Sequence, residues 1–311
     1  MMLARVADSL YWIGRYVERA EHVARLADVM LTATLDRAET SAQVARIGVS
    51  AVGEATAEKI DSPFEAARGL ALDRLDPGSV IASIALAREN ARQVRDQITS
   101  ETWERLNLLH LRLSGPDASR AFEAHSTNFL HEVIADLHLF KGAADTTMSH
   151  GEGWRFLLLG AHLERAQLIG RLLEVCFGRG GERLDHPTLT AVLRMSCALE
   201  PYLRVYTADV RARSILEFLL LNAEFPRSVR FSTAQIEAHL SKLSRHADSA
   251  HVGPERLAGR LNARLQYADM SEIERDGSHL FLESVLAECG EIHQGVYDAF
   301  VAYPLEMRLP A

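Results

Sequence analysis

One pattern occurs twice in this chain, and its period restricts what the chain can fold into. Residues 10–26, LYWIGRYVERAEHVARL, return 146 residues later as LLLGAHLERAQLIGRL at 157–172. At that offset Gly14 falls on Gly160, Glu18 on Glu164, Arg19 on Arg165, Ala20 on Ala166 and Arg25 on Arg171. Apolar residues in the first copy stand at Leu3, Val6, Leu10, Ile13, Val17, Ala20, Ala24, Ala27 and Leu31. Steps of three and four residues put all of them on one stripe of a long helix, the face that packs against neighbours. The second copy keeps the stripe with Phe156, Leu159, Leu163, Ala166, Gly170 and Leu173. Beside it run Gly14, Glu18, Glu21, Arg25 and Asp28 in one copy, and Gly160, Glu164, Gln167, Arg171 and Glu174 in the other. Charged side chains therefore border a core-facing surface, where a carboxylate left unpaired is costly. Glu18 and Glu21 reach Arg25 or Arg15 at helical spacing, whereas Glu164 reaches Arg171 only through a bridging group. Two outcomes stay open. Either Glu and Arg pair across two equivalent helices and fix their register, or the repeats face each other across a polar site.

No segment alternates with period two over a useful length, so the expected class is all-α. The organisation expected is one large helical bundle over 1–311, with repeats at about 3–35 and 150–177. Ser62-Pro63-Phe64-Glu65 and Asp185-His186-Pro187-Thr188 read as helix starts, with Ser100, Ser232-x-x-Gln235 and Ser271-x-x-Glu274 as further caps. The glycines of 178–181 read as a hinge, and Pro304 as the end of the last helix. A chain of 311 residues with 48% hydrophobic content is ample for a sizeable core. Its formal charge of −8 argues against a general affinity for nucleic acid or anionic membranes. The most apolar run, SILEFLLLN at 214–222, is too short to span a bilayer. Cys176, Cys197 and Cys289 are widely spaced and read as reduced thiols, so the expected location is the cytoplasm.

The remaining polar features are few. Arg88, Arg92 and Arg95 fall at i, i+4 and i+7 on one helix face, where like charges repel and something must offset the cost. One reading is a solvated face, or pairing with Glu89, Asp96 and the repeat carboxylates. The other is an anion site, since guanidinium forks suit phosphate and carboxylate. Downstream, Trp103 and Asn107 share a face. Arg227 sits in a short turn, FPRS, between two helices, as a ligand contact or as a partner for a helix C-terminus. No histidine follows a glutamate by three residues, so a di-metal carboxylate centre is not expected. No phosphate loop, dinucleotide fingerprint, zinc spacing or nucleophile elbow occurs, and neither a cofactor nor a metal is expected.

Four segments together, LYWIGRYVERAEHVARL, ARENARQVRDQITSETWERLN, LLLGAHLERAQLIGRLLE and FPRSVRF, resemble the alpha-E domain family of bacterial proteins. The resemblance covers essentially the whole chain. It implies an all-α fold and an association with circularly permuted ATP-grasp proteins and transglutaminase-like proteins, in which the helical chain acts with an ATP-grasp amide ligase to make or modify a peptide. Glu18, Arg19, Glu164 and Arg165 match the family's signature pairs, while Gln167 for Glu21 and Leu168 for His22 depart from two-fold equivalence. The candidate groove then comprises Arg15, Glu18, Arg19, Arg25, Arg88, Arg92, Arg95, Glu164, Arg165, Arg171 and Arg227. Two further readings accompany the accessory subunit: an enzyme forming or cleaving amide bonds with Glu18 or Glu164 as general base, and a bundle whose charges only set helix register.

Overall fold

The computed structural model describes residues 2–53, 60, 62–178, 184–207, 209–244 and 252–302. Among these, fourteen helices and no strand are present. Gly180, Gly181 and Pro304 lie outside the described residues, while Gly178 ends the helix Glu152–Phe177. Two long helices carry the repeated pattern, α1 (Ala4–Ala33) and α7 (Glu152–Phe177). Along α1 the expected stripe is buried from Leu10 to Leu31, and only its first member, Leu3, is exposed, because it precedes the helix.

The chain winds around α1. Helices α2 (Ala38–Ala51), α3 (Pro63–Leu72), α4 (Val80–Gln93) and α6 (Ala118–Thr147) all pack on it, and α5 (Ser100–Ser114) lies on α4 and α6. On the far side α7 receives α11 (Val229–Ser244) and α14 (Ser278–Phe300). Helices α8 (His186–Met195), α9 (Leu199–Tyr206) and α10 (Ala212–Leu221) close one end, and α12 (Val252–Gln266) and α13 (Met270–Asp276) complete the α11–α14 side.

The contact between α1 and α7 is set by glycine. Gly14 and Gly160 meet the opposite helix where side chains would normally hold backbones apart. A methyl group at Gly14 would fall onto the Leu157 carbonyl oxygen, and one at Gly160 onto that of Tyr11. Tyr11 and Leu157 are themselves 146 residues apart. Partner numbers also rise together along the contact: the Met2 backbone N–H donates to Glu152 Oε2 at 2.8 Å, and Arg165 Nε to Glu18 Oε1 at 2.7 Å. The two helices therefore run parallel, with their backbones touching at one crossing.

Helix starts follow the expected chemistry, with some displaced. The Ser62 and Asp185 side chains accept from the N–H groups of Glu65 and Thr188 as anticipated. Thr99 rather than Ser100 caps α5, Ser228 accepts at the start of α11, leaving Ser232 inside that helix, and Asp269 rather than Ser271 caps α13. In each case a capping residue stands one to four positions earlier than the one expected, and the helix begins there. Cys176 and Cys289 are buried free thiols, as small core residues would be.

Candidate functional site

Adjacent residues on a helix point about 100° apart and do not face one another. Glu18 and Arg19 therefore find partners elsewhere, and so do Glu164 and Arg165. The parallel crossing supplies them reciprocally. Arg165 grips Glu18 through Nε and Nη2 at 2.7 and 2.8 Å, and Arg19 Nε donates to Glu164 at 2.6 Å. Each Glu-Arg dipeptide thus exchanges charges with its counterpart. Arg15 adds Nε to Glu164 at 2.5 Å and Nη2 to Gln167 at 2.6 Å.

Beyond this exchange the halves differ. Glu18 and Glu21 both accept from Lys141 of α6, at 2.5 Å each. Arg227, in the turn before α11, reaches Glu21 through Nη2 and brings Nη1 to 3.5 Å from Glu18. Arg25 and His138 also bond Glu21, at 2.9 and 3.1 Å. Ion pairs within 4 Å thus join three carboxylates, Glu18, Glu21 and Glu164, to Arg15, Arg19, Arg25, Lys141, Arg165 and Arg227. Glu18 and Glu21 are fully buried, while His138, Lys141 and Arg25 form a rim that reaches solvent.

This electrostatic setting fixes what the carboxylates can do. Burial alone would raise the Glu18 pKa, but Arg165, Lys141 and Arg227 outweigh it and hold the group well below the ordinary range. For Glu21, Lys141 and Arg227 likewise overcome burial, and for Glu164 the work is done by Arg15 and Arg19. A general base works best with a pKa near the operating pH. Glu18 and Glu164 are locked anions instead, which weighs against their acting as general bases.

Seven of the residues singled out in the sequence come together here: Arg15, Glu18, Arg19, Arg25, Glu164, Arg165 and Arg227. Arg88, Arg92, Arg95 and Arg171 do not join them. Arg88 donates to Asn107 Oδ1 at 3.2 Å, Arg92 pairs with Glu89 of its own helix, and Arg95 reaches Ser100. The Arg88 and Arg95 guanidinium groups lie 5.4 and 5.6 Å from the Trp103 ring centre. Cation–π attraction to one indole, worth about 0.5–1 kcal/mol per contact at partly exposed sites, thus offsets the repulsion in the ladder. Arg171 is exposed on α7. Lys141 and His22 were missed. Lys141 is one of only three lysines beside 31 arginines, the one available signal, and its helix shows no repeat.

A row of imidazoles flanks the cluster. His22 is fully buried beside Glu21 with both ring nitrogens unbonded, and His162 of α7 stacks on His239 of α11 at 5.9 Å between centroids. Burial, reinforced for His22 by Arg227 and for His239 by Arg155, lowers both pKa values to about 4. An unfolded histidine titrates near 6.5, so between pH 6.5 and 4 the unfolded chain binds the extra protons. Their contribution to stability is present in full above pH 6.5 and falls away as the pH drops to 4. For His22 alone the loss is about 3 kcal/mol. Urea unfolding at pH 7.5, 6 and 5 is expected to show this decline, and His22→Leu, the residue type of position 168, to flatten it. A variant with an unchanged slope would remove His22 from the account.

The comparisons with known proteins agree with this architecture. An uncharacterized protein of Mycobacterium bovis is 25% identical over 333 aligned residues, covering 97% of this chain and 37% of the relative. Uncharacterized proteins from two strains of Mycobacterium tuberculosis match at 25% and 24% over the same shares. The chain thus spans little more than a third of the length of these relatives. No solved structure matches. A family described as a predicted alpha-helical domain with a conserved ER motif matches residues 2–301. With a helical fold throughout and Glu-Arg dipeptides exchanging partners at its centre, this chain belongs to the Alpha-E family.

Proposed function

We propose that the chain is one continuous helical unit, built by duplication of the α1/α7 motif, that serves as the partner of an ATP-grasp amide ligase in making or modifying a peptide. The observation that carries this reading is the buried exchange of Glu18–Arg165 and Glu164–Arg19, beside which Glu18 and Glu21 hold a cationic rim of Lys141 and Arg25 at the surface. A rigid seam with spare positive charge at its edge is suited to receive an anionic group from a partner or its bound intermediate. Two supports come from outside the seam. The family resemblance implies an ATP-grasp and a transglutaminase-like protein as associates, and well over half of each mycobacterial relative lies outside the matched region, room for a further domain. The enzymatic alternative loses ground because Glu18 and Glu164 are held ionised by direct cation contacts.

The test is reconstitution. The chain is mixed with an ATP-grasp protein from the same genome, and complex formation and ATP-dependent amide formation are followed with and without it. The expected result is a specific complex and amide formation that rises at least tenfold when the chain is present. Indifference of both assays to the chain would leave the purely structural bundle as the better reading.

A further inference from the structure

We propose that the cluster around Glu21 is a binding site for a phosphate-class dianion, the group shared by a free phosphate and an acyl phosphate. This names the ligand of the seam and rests on the reading above only in expecting the acyl form.

The charge count at this half of the seam does not close. Glu18 and Glu21 face Arg25, Lys141, Arg165 and Arg227, two carboxylates against four cations. Glu21 alone accepts from Arg25, Lys141, Arg227 and His138, which fills the four or so acceptor positions of a carboxylate. Four cations crowded together and largely withdrawn from water gain from any anion that reaches them. Donors remain unspent. Arg227 is a buried residue, yet its Nη1 is shielded from solvent and makes no hydrogen bond. Lys141 has three N–H donors and spends two on the glutamates.

The elaboration is confined to one half. At the positions 146 residues on, Glu21 and His22 become Gln167 and Leu168, and there, among the described residues, Glu164 pairs only with Arg15 and Arg19. Register between two helices needs only the reciprocal Glu-Arg exchange, so Lys141, Arg227 and Arg25 serve something else. The rim gives access, with His138 about half exposed and Lys141 about a quarter. The size of the surplus selects the ligand class. A phosphate carries about −1.5 to −2 at pH 7 and three acceptor oxygens, whereas a carboxylate neutralises half as much. Guanidinium forks also match phosphate geometry.

The experiment is calorimetric titration of the full chain, without any partner, using inorganic phosphate, acetyl phosphate and acetate at constant ionic strength and pH 7.5. Saturable binding of phosphate is expected, with acetate at least tenfold weaker. Lys141→Met should weaken phosphate at least tenfold. Glu21→Gln, which removes a competing anion and keeps every cation, should strengthen it about tenfold; circular dichroism establishes that each variant is folded. Acetyl phosphate binding more tightly than phosphate identifies an acyl phosphate, and equal affinity a free phosphate. Absence of saturable phosphate binding, or an affinity that a folded Glu21→Gln variant leaves unchanged or weakens, overturns the proposal. No partner is present, so failure of the reconstitution assay and failure of this titration are separate results.

Discussion

Replacing Gly14 by alanine is expected to destabilise the chain by about 3 kcal/mol, the upper part of the range for overpacking a close contact. The sign is what makes the experiment informative. In a helix interior Gly→Ala normally stabilises by up to about 1 kcal/mol, because alanine loses less backbone entropy. At Gly14 the added methyl falls onto the Leu157 carbonyl oxygen and stands 2.9 Å from the Ala161 nitrogen. Both are backbone atoms of a helix held by α11 and α14, so no side chain can swing aside. Gly160→Ala meets the same obstacle at Tyr11 and should cost a similar amount. Gly142 in α6 and Gly290 in α14 have open space around the same methyl, and alanine there should be neutral or stabilising. For a chain of this size, 3 kcal/mol corresponds to a fall in Tm of roughly 5 °C. Thermal and urea unfolding of the four variants decides the matter: stabilisation at all four positions would mean that α1 and α7 do not cross through their backbones.

The same crossing shows how much the sequence revealed. The all-α fold, both long helices and their buried stripe follow from steps of three and four residues, a local signal that needs no tertiary knowledge. The repeat offset also placed Gly14 with Gly160 and the two Glu-Arg dipeptides in matching roles. The partners were another matter. Within one helix Glu18 reaches Arg15 at i−3 and Glu21 reaches Arg25 at i+4, and only the second contact forms. Arg15 crosses to Glu164 instead, a choice that depends on the parallel orientation of α1 and α7. Lys141 enters from α6, whose sequence carries no echo of the repeat, so nothing local pointed to it. The Arg88, Arg92 and Arg95 ladder misled for the converse reason. Its cost is met by Trp103 and Asn107 once α5 folds back on α4, a relief invisible until the two helices meet. Arg227 shows a third case: the proline turn marked it as constrained, and only the packing of α11 on α7 gave it Glu21 as a target.

Removing Glu18 should cost as much as any single substitution in the chain. Glu18→Gln keeps the shape and one acceptor oxygen but removes the charge opposite Arg165, which among the described residues has no other carboxylate within ion-pair reach and otherwise bonds only the Pro226 carbonyl. Truncating one member of a buried ion pair typically costs 3–5 kcal/mol, because the other charge stays desolvated and unmatched. Arg165→Met should be milder, about 1–2 kcal/mol, since Glu18 retains Lys141 and the neighbouring Arg227. The double variant should then be more stable than Glu18→Gln alone, with a coupling energy of about 1–3 kcal/mol, as expected for residues in direct contact. Acid pH supplies an independent reading. With its pKa held below normal in the folded state, Glu18 stabilises above the unfolded carboxylate value near 4.5 and loses that contribution as the pH falls further. The gap between wild type and Glu18→Gln should therefore be widest at neutral pH and narrow below about pH 4.5. Additive single substitutions, or a gap that ignores pH, would place Glu18 and Arg165 in separate environments. The reciprocal exchange would then no longer account for why Glu18 and Glu164 are each followed by an arginine.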